Sequence, residues 1–431
     1  MTPPLRLGLL GYGTVGRAFA RLLEDEAPRL EALLGAAPRL VAVASRSLRG
    51  DRAAGLAADV RTGNDLAAVA TAPDVDVVVE LLGGLEPAGA LLAGALDLGK
   101  GVVTANKALL AARGTQLAAR ARDKGVPLAF EAAVAGGIPI LRALRESFAG
   151  DRVDAVSGIL NGTSNFVLTG MNRTGRAFAD VLAEAQSLGY AEADPTADVG
   201  GSDAACKLAL LARLAFGQEV PLEAVSTSGI YGLKPVDLDY ARMLRRTPRQ
   251  LGIARRLPDG RLLLSVRTHL VDDGSLLARV DGPFNAVQVS TTHGGEFVFT
   301  GRGAGGDPTA TAVLSDVVEI ARAGGRPGAA PFGTAAPRPF AGAGPADSVA
   351  PFYLRFVVSD RPGILAGIAS VLARHDVNVD AVFQAPWTDK EALPFVVTVE
   401  AVDEARLGRA LAELSALPFQ VEPPFALPMT P

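Results

Sequence analysis

Residues 5–16 read LRLGLLGYGTVG, a short apolar run that passes directly into three closely spaced glycines. The run has the length and composition of a buried strand, and a helical pattern follows the glycines. In a strand–turn–helix of this kind, Gly11 permits the tight turn and Gly13 lets the backbone approach a pyrophosphate. Gly16 lets the helix pack closely against the strand. The stretch predicts a dinucleotide-binding turn, with a purely structural turn as the alternative.

The helix after the glycines begins at Thr14 and Val15, and its N-terminus favours a phosphate group. The next strand ends without a carboxylate, the group that would hydrogen-bond the ribose hydroxyls of NAD. Arg46 or Arg49 stands there instead and is able to meet a 2′-phosphate. The sequence therefore favours NADP over NAD, while an ordinary solvated side chain is the alternative interpretation of Arg46.

The pattern after the glycines predicts the fold class. Apolar runs follow at 39–45, 75–82, 101–106 and 127–133, with Ala- and Leu-rich helical stretches at 87–98 and 108–123. Strands that alternate with helices form βαβ units, and nearly continuous apolar strands are typical of a parallel sheet that is buried on both faces. We expect an α/β domain with a Rossmann-type doubly wound parallel sheet over residues 1–135, completed by a helix at 305–323.

Two further domains are predicted. Helices at 138–148, 176–188 and 203–216 are mixed with alternating strands at 261–270, 276–281, 286–291 and 296–300. These indicate an α+β domain for substrate binding and dimerisation over 136–304, with an open antiparallel sheet. The Gly-, Ala- and Pro-rich tract 324–350 is interpreted as a linker, with a loop packed on the body as the alternative. Residues 351–431 follow a βαββαβ order, which is ferredoxin-like.

Composition excludes several classes of protein. The chain has 431 residues, a net charge of −4, one cysteine and three histidines. A protein that coats nucleic acid would be strongly basic, and one cysteine makes neither an internal disulfide nor a cysteine zinc site. No apolar run is long enough to span a membrane, and the N-terminus does not resemble a signal peptide. We expect a cytoplasmic protein that binds neither nucleic acid nor membrane.

The densest polar run in the middle domain is LGYAEADPTADVGGSDAACK, residues 188–207. Asp203 and Lys207 are four residues apart at the start of an apolar helix, so they share a helix face. Lys107 follows a strand at the carboxyl edge of the predicted sheet, where ligands bind in such folds. A dehydrogenase without a usable histidine needs another proton carrier, and a lysine can serve. The alternative is a helix cap with a surface ion pair.

At this point the chain resembles the homoserine dehydrogenase family, of the monofunctional bacterial type. The motifs that carry the resemblance are GYGTVG (11–16), VVVELLGGLEPA (77–88), GKGVVTANKALLA (99–111), FEAAVAGGIPI (130–140), GILNGTSNFVL (158–168), LGYAEADPTADVGGSDAACKLALLA (188–212) and FTGRGAGGDPTATAVLSDV (299–317). The C-terminal unit resembles an ACT domain, and residues 245–256, RRTPRQLGIARR, depart from the expected pattern.

The resemblance implies reversible NAD(P)-dependent interconversion of L-homoserine and L-aspartate 4-semialdehyde. It makes Lys207 the proton donor and acceptor, Lys107 a contact to cofactor and substrate, and Glu192 and Asp203 the carboxylates that hold the substrate. Further substrate contacts are expected at Gly162 and Thr163. Further cofactor contacts are expected at Leu82, Gly83, Thr104, Ala105, Gly189 and Gly303. Backbone carbonyls of Glu131, Val134, Gly136 and Ile138 match a Na⁺- or K⁺-type cation loop, for which a glycine-rich turn with a capped Glu131 is the alternative.

The resemblance also implies a homodimer, with a tetramer through the ACT domains as the alternative assembly, and threonine as an effector at the turn around Gly363. A dimerisation module without a ligand is the alternative for the ACT domain. Two other functions stay open from the residues alone. One is a non-catalytic sensor of NADP and an amino acid, and the other is a reductase of a related semialdehyde that uses Cys206 as its nucleophile.

Overall fold

The computed structural model describes residues 3–46, 55–325, 337–386 and 389–430. The strands are β1 (Arg6–Leu10), β2 (Arg39–Ala44), β3 (Arg61–Gly63), β4 (Val77–Glu80), β5 (Gly101–Thr104), β6 (Leu128–Ala129), β7 (Val153–Ile159), β8 (Ser226–Thr227), β9 (Arg246–Arg256), β10 (Leu262–Asp272), β11 (Phe284–Thr291), β12 (Gly295–Arg302), β13 (Val349–Val358), β14 (Val379–Phe383), β15 (Leu393–Asp403) and β16 (Gln420–Thr430).

The helices are α1 (Thr14–Asp25), α2 (Ala27–Leu34), α3 (Leu66–Thr71), α4 (Ala88–Asp97), α5 (Lys107–Lys124), α6 (Ile140–Arg142), α7 (Gly162–Thr174), α8 (Phe178–Ser187), α9 (Thr196–Val199), α10 (Ser202–Phe216), α11 (Pro235–Met243), α12 (Gly306–Arg322), α13 (Ile364–Arg374) and α14 (Glu404–Ser415). None of these helices is long and apolar enough to cross a membrane.

The chain divides into two compact units, each made of several segments. The first comprises Met1–Val156, Ala205–Val225 and Asn285–Phe340, and the second comprises Ser157–Ala204, Ser226–Phe284 and Ala341–Pro431. The chain therefore passes between the units several times, and helix α10 begins in the second unit and continues in the first.

The first unit contains the predicted doubly wound sheet. Its strands are parallel in the order β3–β2–β1–β4–β5–β6. Strands β4 and β5 are buried along their whole length, which explains their continuous apolar sequences. The strand order reverses between β1 and β4, and ligands bind at this kind of switch point in open α/β sheets. The α/β prediction is confirmed.

Helix α12 lies where a helix was predicted to complete this sheet. Its buried residues Ala310, Val313 and Val317 share one apolar cluster with Phe19 of α1 and Leu9 of β1. The chain returns to the first unit with α12, and this helix packs against the sheet and α1 that the N-terminal residues form. Strands β12, β11 and the first residues of β7 are neighbours in that order.

The second unit contains a sheet with the order β9–β10–β16–β13–β15–β14, and β8 pairs with β10. Residues 245–256, which departed from the expected family pattern, contain β9, which is antiparallel to β10 over its full length. The predicted strand at 276–281 is wrong, because Leu277–Arg279 forms a single 3₁₀ turn. The buried Arg249 of β9 explains the turn, since its guanidinium binds the carbonyl oxygens of Leu277 and Ala278.

The C-terminal residues form the predicted βαββαβ unit, from β13 to β16 with helices α13 and α14. Strand β16 also pairs in parallel with β10, so the ferredoxin-like sheet continues into the rest of the second unit. A buried group joins the two parts: the hydroxyl of Tyr353 donates to Asp237 of α11 over 2.7 Å, and Arg355 forms an ion pair with the same carboxylate. Burial raises the pKa of the Asp237 carboxyl.

The predicted linker tract is attached to the body over its described half. The backbone of Arg338 exchanges hydrogen bonds with residues 217–219 in the first unit. In the second unit, Ala343 N–H donates to the Leu262 carbonyl over 2.9 Å. This half matches the alternative of a packed loop, and residues 326–336 lie outside the described part of the chain.

Candidate functional site

The glycine-rich turn follows β1 in the first unit, and its geometry explains the spacing of its glycines. Gly11 has a φ of 101°, and a methyl group added there would lie 2.6 Å from the Leu81 carbonyl oxygen. A methyl group on Gly16 would lie 2.2 Å from the Gly11 carbonyl oxygen, so the helix packs on the turn itself. Gly13 has nothing within 4 Å of that position, which leaves its backbone open to a ligand. Helix α1 begins directly afterwards at Thr14 and Val15.

The end of β2 places Arg46 in solvent and, up to the last described residue there, provides no carboxylate. The Gly11 N–H donates to the Ala44 carbonyl over 2.9 Å, so the end of β2 lies beside the glycine turn. Ser45 is buried and Arg46 is exposed. This arrangement is compatible with an additional phosphate at the ribose end of a dinucleotide. Arg49 lies outside the described residues.

A buried carboxylate that the sequence analysis missed organises the loops after β4 and β5. Glu80, at the end of β4, is fully buried and accepts hydrogen bonds from the N–H groups of Leu82 and Gly83 at 2.8 and 3.1 Å. The Thr104 hydroxyl donates to its second oxygen over 2.5 Å. Glu80 therefore brings together three of the predicted cofactor contacts. The sequence signal for Glu80 is an acidic residue at the end of an otherwise apolar strand.

Lys107 is the first residue of α5, directly after the loop that Glu80 holds. Asn106 caps this helix, because its side-chain oxygen accepts from Leu109 N–H, while its amide nitrogen donates to the Gly84 carbonyl over 2.6 Å. Ala105 N–H donates to the Glu80 carbonyl. The lysine is thus placed at the carboxyl edge of the parallel sheet by two consecutive structured loops, as predicted for a ligand contact.

In the second unit, Asn161 gathers the acidic residues of the predicted substrate run. Its side-chain amide donates to Asp198 over 2.7 Å and to Asp203 over 2.9 Å. Its side-chain oxygen accepts from Ser164 N–H and caps α7, the helix that begins at Gly162. Neither Asn161 nor Asp198 was predicted as a site residue, although both lie in motifs that carried the family resemblance.

The remaining predicted substrate residues are held by the same segment of chain. The Thr163 hydroxyl donates to the Tyr190 carbonyl over 2.6 Å, which ties α7 to the acidic run. Gly189 has a φ of 74° and ends α8 in the left-handed region, where glycine is favoured. The side chain of Glu192 is exposed, and its carbonyl accepts from the Gln186 amide over 3.1 Å. The Gln186 amide therefore holds the backbone of Glu192, and the Glu192 carboxylate faces solvent.

Helix α10 carries Asp203 in its first turn and Lys207 one turn later. Lys207 is 8% exposed, whereas Asp203 is partly exposed. Cys206, proposed above as a nucleophile in the alternative reading, is partly buried beside them on the same helix. Of the histidines, His269 is enclosed, and burial lowers its pKa to about 3. It is neutral at physiological pH, which removes one competitor for the role of proton carrier.

The predicted cation loop uses the side chain of Glu131 for another purpose. That carboxylate accepts from the N–H groups of Leu141 and Arg142 at 2.8 and 2.9 Å, and so caps the start of α6. The hydrogen bonds of the Glu131 side chain therefore match the alternative interpretation, in which this carboxylate takes part in a helix cap. Ala135 and Gly136 both have positive φ values of 56° and 54°, which makes the loop an unusual turn. Only backbone carbonyl oxygens of this loop are left to hold a cation.

The carbonyls of the loop include those of Val134 and Ile138, and the latter already accepts from Ile140 N–H over 2.8 Å. Carbonyl oxygens suit an alkali cation. Among the described residues there is no group of His, Cys, Asp or Glu side chains that could hold a metal ion. Beside the loop, Asp316 accepts from Glu131 N–H over 2.8 Å, and its burial raises its pKa to about 8.

The C-terminal unit has a cavity of about 370 Å³ at the turn before α13. Gly363 has a φ of 93°, and the first residues of α13 line the cavity with Arg361 and Gln384. Asp360 at its rim pairs with Lys390 over 3.0 Å. A helix N-terminus beside a glycine can hold a carboxylate, and the cavity provides room for a small molecule.

Sequence models of known families match most of the chain. The model described as "Homoserine dehydrogenase, NAD binding domain" matches residues 11–131, and the one described as "Homoserine dehydrogenase" matches residues 139–318. The model of the ACT domain matches residues 352–419. The matches cover the glycine turn, the acidic run with α10, and the cavity before α13.

Curated relatives and solved structures are similar over nearly the whole length. The homoserine dehydrogenase of Pseudomonas aeruginosa is 40% identical over 422 residues, which is 96% of each chain. That of Corynebacterium glutamicum is 41% identical over 96% of this chain and 92% of its own. The crystal structure of a homoserine dehydrogenase from Thiobacillus denitrificans has a TM-score of 0.90 and 39% identity, covering 99% and 98% of the two chains. A hyperthermophilic archaeal homoserine dehydrogenase in complex with NADPH has a TM-score of 0.63 and 25% identity, covering 74% of this chain and 97% of its own.

Proposed function

The chain belongs to the homoserine dehydrogenase family and is an oxidoreductase, and from that premise we propose how its own residues perform the reaction. The reaction is the reversible interconversion of L-homoserine and L-aspartate 4-semialdehyde. The single observation that supports it most is the intact acidic run with α10, in which Asn161, Asp203 and Lys207 are placed on structured elements. A non-catalytic sensor has no need of a proton carrier at this position.

Lys207 is proposed to move the proton. When bound, the nicotinamide donates or accepts the hydride at the carbon that carries the oxygen. During reduction, the ammonium of Lys207 gives a proton to the aldehyde oxygen, and a C–H and an O–H bond replace the carbonyl π bond. During oxidation, the neutral amine takes the hydroxyl proton as the hydride leaves. A positioned general acid or base contributes on the order of 10²–10⁴ to the rate.

The carboxylates and the second lysine are proposed to orient the substrate. A carboxylate is the natural partner of the substrate ammonium, which assigns that role to Glu192 and Asp203. Asn161 supports Asp203 by the hydrogen bond described above. Lys107 adds positive charge near the reacting oxygen, and one preorganised donor of this kind is worth about 3 kcal/mol.

NADP is proposed as the preferred cofactor, with NAD as the second choice. The support is the exposed Arg46 at the end of β2 and the missing carboxylate there. The residues fit such a cofactor, because Gly13 leaves an open approach to α1. The carbonyl oxygens of the loop around Gly136 are proposed to hold Na⁺ or K⁺.

The assembly, the effector and the cellular role are also proposals. We propose a homodimer formed through the open sheet of the second unit, with a tetramer through the ACT domains as its extension. Threonine is the proposed effector, bound in the cavity beside Gly363. The enzyme would act in the cytoplasm, in the biosynthesis of threonine, methionine and isoleucine. We assign one ligand to each predicted domain. Residues 1–135 with α12 would bind the cofactor, residues 136–304 would bind the substrate, and residues 351–431 would bind the effector.

A spectrophotometric assay tests the proposal. Purified protein is given L-homoserine with NADP or NAD, with and without L-threonine, and the absorbance of the reduced nicotinamide is followed. We expect turnover that is faster with NADP and that threonine suppresses. A second assay supplies a related semialdehyde with the reduced cofactor; turnover there that a thiol reagent blocks, with none on L-homoserine, would instead favour the reductase of a related semialdehyde. Nucleotide binding without turnover on either substrate would favour the sensor.

A further inference from the structure

A second cavity, of about 330 Å³, lies between α14, β16 and the segment 228–231, and we call it the junction cavity. Its volume is at the lower end of the range of small-molecule sites. All its lining residues belong to the second unit, and none of them lines the cavity before α13. Strand β10 pairs with β8 up to Val266 and with β16 from Leu270, and Arg267 between these pairings lines the cavity.

One wall of the junction cavity is apolar and comes largely from α14. Leu407, Gly408 and Leu411 are spaced so that they share a face of this helix, and the buried Phe352 of β13 also lines the cavity. Glycine destabilises a helix interior relative to alanine. A methyl group added to Gly408 would meet nothing within 4 Å, so packing does not require the glycine. This position leaves room for the apolar part of a ligand.

The polar wall contains a partly exposed ion pair. Arg267 of β10 and Glu404, the first residue of α14, lie 2.8 Å apart, and their side chains are 18% and 19% exposed. The contact is made at the carboxylate oxygen Oε1, which also accepts from the Ser348 hydroxyl. A guanidinium carries five N–H donors and a carboxylate has two oxygens, so the pair has capacity for further hydrogen bonds.

The charges and the apolar wall select the class of ligand. A lone anion or cation would add a net charge to a partly buried neutral pair, which is unfavourable. A zwitterion offers a carboxylate to Arg267 and an ammonium to Glu404, and both contacts are charge-assisted. We propose that the junction cavity is a second effector site, which binds an α-amino acid with an apolar side chain and changes the affinity for the substrate.

The segment 226–231 connects the junction cavity with the acidic run of the candidate site. Ile230 N–H donates to the Val199 carbonyl over 2.9 Å. A methyl group on Gly229, which lines the cavity, would lie 2.6 Å from the same carbonyl oxygen. Val199 ends α9 and is followed four residues later by Asp203. An occupant of the cavity therefore acts on the segment that supports Asp203, and this step rests on the proposed function.

Calorimetry on the full chain tests the binding with three probes that differ in their charged groups. These are L-leucine, 4-methylpentanoate, which lacks the ammonium, and 3-methylbutylamine, which lacks the carboxylate. We expect L-leucine to bind roughly tenfold or more tightly than either analogue. Glu404→Gln should weaken L-leucine and strengthen 4-methylpentanoate, because Arg267 then lacks its counter-charge. No binding of L-leucine to the wild type, or equal binding of the three probes, would overturn the proposal.

Gly408→Leu fills the junction cavity and leaves the ion pair in place. It should abolish the binding of L-leucine and keep or raise the thermal midpoint, because leucine is the better helix former. Arg409→Leu is the matched control, since this exposed residue of α14 does not line the cavity. Arg361→Ala alters the cavity before α13 instead. Both should bind L-leucine normally; loss of binding in Arg361→Ala and not in Gly408→Leu would contradict the assignment.

The Kd for L-homoserine, measured with NADPH bound so that no hydride is transferred, tests the effect on the substrate. We expect saturating L-leucine to change this Kd about fivefold or more, and L-homoserine to change the Kd for L-leucine by the same factor, because linkage is reciprocal. Unchanged values would exclude the effector role. Protein that binds L-leucine but neither binds nor turns over L-homoserine would contradict the proposed function and still support the amino-acid site.

Discussion

At the scale of single residues, the candidate site depends on buried polar side chains that hold its loops in place. Glu80 binds the loop after β4 and the hydroxyl of Thr104, and Asn161 binds Asp198 and Asp203. Charged groups with several such hydrogen bonds are strongly oriented. The ligand contacts named from the sequence are therefore positioned by neighbours that the sequence analysis did not single out.

Asn161→Ala should weaken substrate binding, and it should also lower the thermal midpoint because the cap of α7 is lost. The variant removes one donor from each of two carboxylates, and a hydrogen bond to a charged group is worth about 1.5–3 kcal/mol. We expect the KM for homoserine to rise by a factor on the order of ten or more, while the Kd for NADPH stays the same. A calorimetric titration with NADPH provides the control. An unchanged KM would show that Asp203 does not depend on Asn161.

Asp316 predicts a pH-dependent stability. Burial and the neighbouring Glu131 raise its pKa to about 8, well above its value in an unfolded chain. Between about pH 4 and pH 8 the native state then binds more protons than the unfolded state, so this group makes stability fall as the pH rises. Arg142, Arg145 and Glu319 are the other charged groups around it.

Denaturant unfolding of Asp316→Asn at several pH values measures that contribution. The free energy of unfolding of the wild type, minus that of the variant, should fall steadily from pH 5 to pH 8. Asp307→Asn, on the exposed face of the same helix, is the control and should show no such trend. A difference that is constant with pH would mean that Asp316 titrates normally.

At the scale of elements, the three glycines of the turn after β1 have different functions. A methyl group on Gly16 would meet the Gly11 carbonyl at 2.2 Å, whereas one on Gly13 would meet nothing within 4 Å. Gly16→Ala should therefore lower the thermal midpoint and also weaken NADPH binding. Gly13→Ala should leave the midpoint unchanged and weaken NADPH binding alone, because only the ligand approaches there.

Thermal unfolding with and without NADPH distinguishes these outcomes. Gly35→Ala would not be a suitable control, because Gly35 has a positive φ. Gly94→Ala is suitable, since this helical glycine of α4 has no neighbour within 4 Å of an added methyl group. Equal destabilisation by the Gly13 and Gly16 variants would contradict the division of roles.

Elements with a regular apolar period could be predicted from the sequence, and elements that depend on distant partners could not. Strands such as β4 are buried on both faces and appear as continuous apolar runs. Strand β9 contains Pro248 and several arginines, and its backbone is held by full-length pairing with β10. Residues 276–281 alternate like a strand, but the guanidinium of Arg249 binds their carbonyls, and no local pattern shows that contact.

The same distinction applies to the site. Residue types with obvious chemistry, such as Lys207 and Asp203, were named from motifs and spacing. Asn161 was not, because its importance comes from the two carboxylates that surround its amide after folding. The cation loop shows a limit of another kind, since backbone carbonyl oxygens leave little trace in the sequence.

At the scale of the whole molecule, the ACT domain is joined to helix α11 by buried charges. Arg355 and Asp237 are almost fully enclosed, and Arg355 also lies over the ring of Phe425 at 4.7 Å. Removing one partner of such a pair leaves an isolated buried charge. This junction is where we propose that an effector bound in the C-terminal unit would act on the rest of the second unit.

Arg355→Ala should be strongly destabilising and should abolish any response to threonine. Breaking a buried pair costs about 3–5 kcal/mol. The exposed pair of Lys234 and Glu422 spans the same junction, so Glu422→Gln is the control and should cost less than about 1 kcal/mol. Denaturant unfolding measures both. If both variants lowered the free energy of unfolding by the same amount, the junction would not depend on the buried ion pair of Arg355 and Asp237.

The role of Lys207 is tested most directly by single-turnover reduction of L-aspartate 4-semialdehyde with the Lys207→Ala variant saturated with NADPH. We expect the rate of hydride transfer to fall by a factor on the order of 10²–10⁴, while the Kd for NADPH is unchanged. Hydride transfer at a rate close to that of the wild type would contradict the assignment of Lys207 as the proton carrier.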